Sequence, residues 1–357
     1  MVQDSKTPKK YSAKQNKEEK MKYWKNTLAG LMAAALLVTG GISRTVLAAE
    51  TESAAEIEYP LTITTYTYAE QPVEYTFEKE PERVIAAYQD NIEILLALGL
   101  EDKIVCAFGM DGEIREDLKD SFDKINYLES RPSKEDVLAL EPDFITGWSS
   151  LFAEGRLGEV DFWHERGTGT YMSLNSGCRW PPEEYPQTIQ EECEDILTMG
   201  KIFNVQDRAE ELVDEIQTEL DRVAEYVEGK EAPSIAILEN ESDSYRVYGE
   251  NRLAGDVAKH AGAQLAVGKA GEESGNISAE DLVSLNPDAI FMVWYEGFKT
   301  PEEAVADITE NPAFASLDAV KNEKVFAVNL SGIYCSGMRT LDGVEAFAGC
   351  LYPELYK

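Results

Sequence analysis

One phrase is written twice in this chain. Residues 133–145 read SKEDVLALEPDFI and residues 278–290 read SAEDLVSLNPDAI, with Ser, Glu, Asp, Leu, Pro, Asp and Ile recurring in register and no gap. Each copy carries the signals of a short helix leading into a strand. Ser133 and Ser278 are N-cap residues, and Asp136 and Asp281 stand three positions on, a variant of the capping box. Val137, Leu138 and Leu140, and in the second copy Leu282, Val283 and Leu285, supply the buried face. Pro142 and Pro287 follow the helix end, and FITGW and AIFMVW read as strands. Two such units so far apart imply two lobes built on one plan.

The flanking segments agree. LTITTYTY and VEYTF alternate like two strands joined at AEQP. RVIAAY, NIEILLALG and KIVCAF form a β-α-β unit, which implies parallel strands with a crossover helix. In the second half SIAILE and KVFAVN read as strands, RLAGDVAKHAGA as a helix, and MRTLDGVEAFAGCLYP as a closing helix. Between the halves, residues 207–229 place apolar side chains at 209, 212, 213, 216, 220, 223, 224 and 227. That spacing predicts one amphipathic helix ending at Gly229, a stiff connector. The expected organisation is therefore an N-terminal lobe over 50–206, a bridging helix over 207–229 and a C-terminal lobe over 230–357. The fold class is α/β, two lobes with parallel sheets flanked by helices. The stretch 149–186, rich in Gly, Pro and aromatics, reads as an irregular insertion that follows a strand and points toward the crevice at the strand ends.

Residues 1–49 stand apart from this pattern. A lysine-rich start, KYWKN and the apolar run Leu28–Ile42 precede the small residues of VLA, the layout of a secretory signal peptide with an N-terminal extension; Met1 or Met21 could be the start. The apolar run is shorter than the ~20 residues a membrane span needs. No cysteine closes the segment, so a lipid anchor there is not expected. The net charge of −34 disfavours nucleic acid as a partner. Five cysteines leave an odd count, with Cys178 and Cys193 the one pair a turn could bring together, and two histidines cannot build a three-histidine metal site. His164 reads as a packing residue.

Candidate binding residues cluster just after the expected strands. Tyr88 and Trp148 do so in the first lobe. In the second, Trp294 and Tyr295 follow AIFMV, Tyr248 precedes a helix opening near Arg252, and Tyr334 precedes Arg339. Aromatic faces with a few guanidinium groups suit a bulky organic ligand carrying negative charge. Glu135 and Glu280 occupy the same first-turn position in the two copies, where acidic groups are favoured by about 0.3–1 kcal/mol. As a matched surface pair, they suit docking onto a symmetric partner. No nucleophile–base, P-loop or zinc-protease motif is present.

The chain resembles the substrate-binding proteins of ABC importers for ferric siderophores, haem and cobalamin. The matching stretches are PERVIAAYQDNIEILLALGLEDKIV, SKEDVLALEPDFI, LTMGKIFNVQDRAEELVDEI, ISAEDLVSLNPDAIFMV and NPAFASLDAVKNEKVFAVN, spanning about residues 81–355. The resemblance implies two lobes bridged by one helix, a metal chelate held between them, and no enzymatic activity or cofactor. It implies docking of Glu135 and Glu280 on the two permease subunits, and it places Arg252, Tyr334 and Arg339 where members line their pockets. Export to the cell surface, or to the periplasm if there is an outer membrane, and a monomeric state are the accompanying expectations. The rivals are a secreted two-lobe enzyme acting in the same cleft and a free-metal binder.

Overall fold

Two sheets organise the chain. The structure is a computed structural model and describes residues 58–179, 181, 184–268 and 275–357. The leader expected over 1–49 lies outside them. The hairpin read from LTITTYTY and VEYTF is present as β1 (Leu61–Tyr66) and β2 (Pro72–Phe77), paired antiparallel. The first lobe then runs β3 (Val84–Ala87), α1 (Gln89–Ala97), β4 (Ile104–Phe108), β5 (Tyr127–Leu128), α2 (Lys134–Ala139), β6 (Phe144–Gly147), α3 (Val160–His164) and β7 (Gly169–Met172). Its five strands are all parallel, in the order β5-β4-β3-β6-β7. Every residue of β3, β6 and β7 is buried, as expected of parallel strands covered on both faces.

Helices α4 (Ile189–Ile202) and α5 (Gln206–Val227) lead out of this lobe. The second lobe follows with β8 (Ser234–Asn240), β9 (Tyr245–Val247), α6 (Leu253–His260), β10 (Gln264–Leu265), β11 (Asn276–Ile277), α7 (Ala279–Leu285), β12 (Ala289–Trp294), α8 (Pro301–Thr309), β13 (Val325–Asn329) and α9 (Thr340–Leu351). Its sheet runs β11-β9-β8-β12-β13, with β10 also on β8. Here the expectation of a parallel sheet is corrected, because β9 pairs antiparallel with β8. The turn between them is too short for a crossover helix, so the chain can only fold straight back.

The connector is one helix, as its spacing predicts. Ala209, Leu212, Ile216, Leu220 and Val223 are buried along one side of α5. Near its start Arg208 Nε donates to the carbonyl of Ala97 in the first lobe, and near its end Arg222 Nη1 donates to that of Leu355 in the second. The lobes touch closely enough that the described residues pack as one compact unit.

The repeated phrase turns out to be a clamp. Ser133 and Ser278 each accept a bond from the backbone N–H three residues on, 3.1 Å in both copies. Asp143 N–H donates to the Arg83 carbonyl and Asp288 N–H to that of Ser234 (3.1 and 2.7 Å). In return the Asp143 carboxylate accepts from Arg83 N–H at 2.7 Å, and the Asp288 carboxylate from Ser234 N–H at 2.8 Å. Each copy thus pins the first strand of its lobe, β3 or β8, to the strand the phrase itself enters.

The stretch 149–186 is more regular than its composition suggests. It contains α3 and, in β7, the edge strand that completes the first sheet. Glycine-rich GTGTYM conceals a strand because Gly169 meets the hairpin: a Cβ there would lie 2.5 Å from a Phe77 ring carbon. All five cysteines are unpaired, so Cys178 and Cys193 do not bridge.

Candidate functional site

The strand orders say where a cleft must lie. In the first sheet the chain steps from β3 outward to β4, then returns to the other side with β6. In the second it steps from β8 to β9 and returns with β12. Such reversals leave a crevice at the strand C-termini. A cavity of about 220 Å³ occupies that place, lined from the first lobe by Gln89, Asp90, Asp111, Gly112, Glu113 and Trp148. From the second lobe come Trp294, Tyr295, Glu296, the segment 329–331, Tyr334, Cys335, Ser336 and Arg339.

Five of the eight expected binding residues, Trp148, Trp294, Tyr295, Tyr334 and Arg339, thus line one cavity. Tyr88 stands behind the wall, stacked on Trp148 at 4.3 Å between ring centres and 12° between planes. It takes φ 72° and ψ 157° at the turn from β3 into α1, a conformation that costs a non-glycine residue on the order of 1–3 kcal/mol. Tyr334 meets Trp148 in a T-shaped contact at 5.4 Å, so aromatic contacts run from lobe to lobe. Tyr248 is not in the lining: it is buried, its hydroxyl donating to Glu239 Oε2 at 2.7 Å. Arg252 is also outside it, exposed at the N-cap of α6, though its charge acts on Tyr334.

Arg339 has a different task from the one its position suggests. Its Nε and Nη2 grip the Glu93 carboxylate at 2.8 and 2.7 Å, and Nη2 also donates to the Glu113 carbonyl at 2.6 Å. Glu93 is 0 % exposed. The guanidinium that could have received an anion is spent on an ion pair between lobes. Glu135 and Glu280 are both exposed, in the first turns of α2 and α7.

The floor of the cavity is polar and buried. Trp148 Nε1 donates to Asp90 Oδ1 at 2.8 Å, and Ser173 Oγ donates to Asp90 Oδ2 at 2.6 Å. Burial pushes the Asp90 carboxyl up to about 7 against these donors. Nearby, Asp195 accepts from the Tyr171 hydroxyl and the Leu174 N–H, and burial and the charge of Glu192 push it well up. Glu192, raised by burial, bonds Asn175 and receives the Gly337 N–H from the second lobe. Among the described residues, no group of three or more His, Cys, Asp or Glu is arranged to hold a metal ion. His164 contacts Thr170 and the Tyr75 ring, and burial lowers its pKa.

Sequence reasoning passed over Gln89, Asp90 and Glu93. The available signal was the polar QDN at a strand end and one charge inside the apolar run IEILLAL, which calls for a buried partner.

Comparison with known proteins bears on the family and the fold. The family model for periplasmic binding proteins matches residues 84–329. An uncharacterised ABC transporter substrate-binding lipoprotein of Bacillus subtilis is 24% identical over 287 residues, 79% of this chain and 83% of that one. A periplasmic binding protein of Veillonella parvula is 29% identical, with a TM-score of 0.73 over 84% of this chain and 94% of that one. An ABC-type Fe3+-hydroxamate transport system protein of Saccharomonospora viridis shares the fold, at 22% identity and a TM-score of 0.66 over 83% of this chain and 100% of that one. A chain whose two sheets turn their strand ends into one cavity, and which matches that family over most of its length, belongs to the periplasmic binding proteins of the iron and cobalamin type, the substrate-binding components of ABC importers.

Proposed function

We propose that the protein is exported, captures an organic metal chelate between its lobes and hands it to the permease dimer of an ABC importer. Candidate ligands are a ferric siderophore, haem or cobalamin. The observation that carries this reading is the aromatic wall of Trp148, Trp294, Tyr295 and Tyr334 around a cavity at two facing switch points. Large apolar faces with a few polar groups are what hold a bulky organic ligand. At about 220 Å³ the cavity is smaller than the ~300–1,000 Å³ of most ligand pockets, so capture requires a wall to yield. The turn after β12, with Glu296, Gly297 and Phe298 exposed, is the wall with room to do so.

Glu135 and Glu280 are proposed as the docking pair. Both are exposed, neither is held in an ion pair, and each occupies the same place in its copy of the clamp. Tryptophan fluorescence tests the ligand: titrating the purified protein with ferric siderophores, haem and cobalamin should quench emission for one class at micromolar concentration. A flat response to the whole panel would remove the chelate reading. A bound ligand recovered chemically altered would instead favour the rival, an enzyme working in the cleft.

A further inference from the structure

Among the described residues the cavity wall is short of positive charge. Asp90, Asp111, Glu113 and Glu296 line it, and the one guanidinium among the described lining residues, that of Arg339, is already bound to buried Glu93. Of the arginines just outside, Arg246 is held by Glu239 and Glu241, Arg156 is bound to the Tyr88 and Ser150 hydroxyls behind Trp148, and Arg252 is exposed beyond the wall, its charge reaching Tyr334. Acidic side chains at a surface prove little by themselves. A separate feature shows what they wait for.

Gln89 is 5 % exposed, and its amide orientation is decided by its neighbours. Nε2 donates to Glu93 Oε1 at 3.2 Å and to the Glu113 carbonyl at 3.0 Å, both of which can only accept. Oε1 must therefore point the other way, and it is buried without a partner. A methyl group placed on Gly112 would lie 3.7 Å from that oxygen and 3.9 Å from Glu296 Cδ. Oxygen, glycine and carboxylate close around one corner of the cavity. A buried acceptor left unpaired is destabilising, and a donor brought by the ligand in place of water would pair it.

We infer that the cleft selects a ligand presenting a cationic N–H donor toward Gln89, Asp111 and Glu296, and rejects polyanionic chelates. This rests on the reading of the cavity as the capture site. It narrows the ligand to a chelate of zero or positive charge bearing a protonated amine.

The test uses two probe sets. The first is a ferric linear trihydroxamate with one pendant primary amine, with its N-acetyl and N-succinyl derivatives, which differ in charge at constant metal chemistry. The second is benzylammonium against benzenesulfonate, of similar size and no metal. Affinities are read by tryptophan quenching. The amine chelate should bind about tenfold or more tightly than the succinyl derivative, and the gap should shrink in Glu296→Gln and Asp111→Asn, both exposed positions. Equal or inverted order overturns the inference, as does silence from both sets. If the chelates are silent but the small cation binds and the sulfonate does not, the charge selection stands and the chelate reading falls.

Discussion

The two lobes bring different kinds of surface to the same cavity. The first contributes a floor whose side chains are locked from behind: Trp148 is held by Asp90 and stacked on Tyr88, and Asp90 is fixed in turn by Ser173, which Asn91 also grips at 2.8 Å. The second contributes a turn in which Tyr295 stacks on exposed Phe298 and Glu296 stands in solvent. A buried network has one low-energy arrangement, because any departure leaves a polar group unpaired. An exposed turn has several. The first lobe is therefore the preorganised platform, and the second is the side that adapts to the guest.

The sharpest way to break this contrast is to cut the ion pair that joins the two sides. Arg339→Ala leaves Glu93 buried with only the Gln89 amide and the Arg115 N–H as donors. A loss of about 3 kcal/mol in urea unfolding is expected; a loss under 1 kcal/mol would show that the lobes do not depend on it.

Asp90 supplies a pH test of the platform. Its carboxyl is pushed up to about 7 in the folded protein, above the ordinary aspartate value of about 3.9. The folded state therefore holds the proton more tightly, and this contribution is fully present below about pH 4 and lost as pH rises through about 7. Asp90→Asn should flatten that part of the stability profile between pH 4 and 8, measured by thermal melts. An unchanged slope would mean that another buried acid, Glu192 or Asp195, dominates.

The repeated clamp allows the lobes to be compared at matched positions. Asp143 accepts from two backbone N–H groups, of Glu82 and Arg83, whereas Asp288 accepts from Ser234 alone. Asp143→Ala should cost about 2 kcal/mol and Asp288→Ala about 1; the reverse order would show that the second sheet leans harder on its clamp. The residue closing each helix differs as well. Asn286 takes φ 44° and Glu141 takes φ 48°, a left-handed conformation that asparagine tolerates better. Glu141→Asn should stabilise by about 0.5 kcal/mol.

The smallest effect on stability belongs to the docking pair. Glu135→Ala with Glu280→Ala should change unfolding free energy by about 0.5 kcal/mol or less and leave ligand quenching intact, while lowering uptake through the importer. Normal uptake in the double variant would return both residues to ordinary helix-start acids.

What was legible in the sequence was whatever the chain states within a few residues. Caps, helix stops, the amphipathic spacing of α5 and the doubled phrase each depend on neighbours one to seven positions away, so the two-lobe α/β plan and the aromatic strand ends could be read directly. The edge strand Gly169–Met172 was hidden because its glycine answers to a ring in β2, far back in the chain. Likewise Arg339 finds Glu93 across 246 positions, and Gln89 is left with one unpaired oxygen because the Glu113 carbonyl, brought in by folding, joins Glu93 in claiming its nitrogen. The sign of the cleft was decided there. Charge in a cavity is a sum over groups that only folding brings within a few ångströms, and a guanidinium read as waiting for a ligand becomes structural once a buried carboxylate reaches it first.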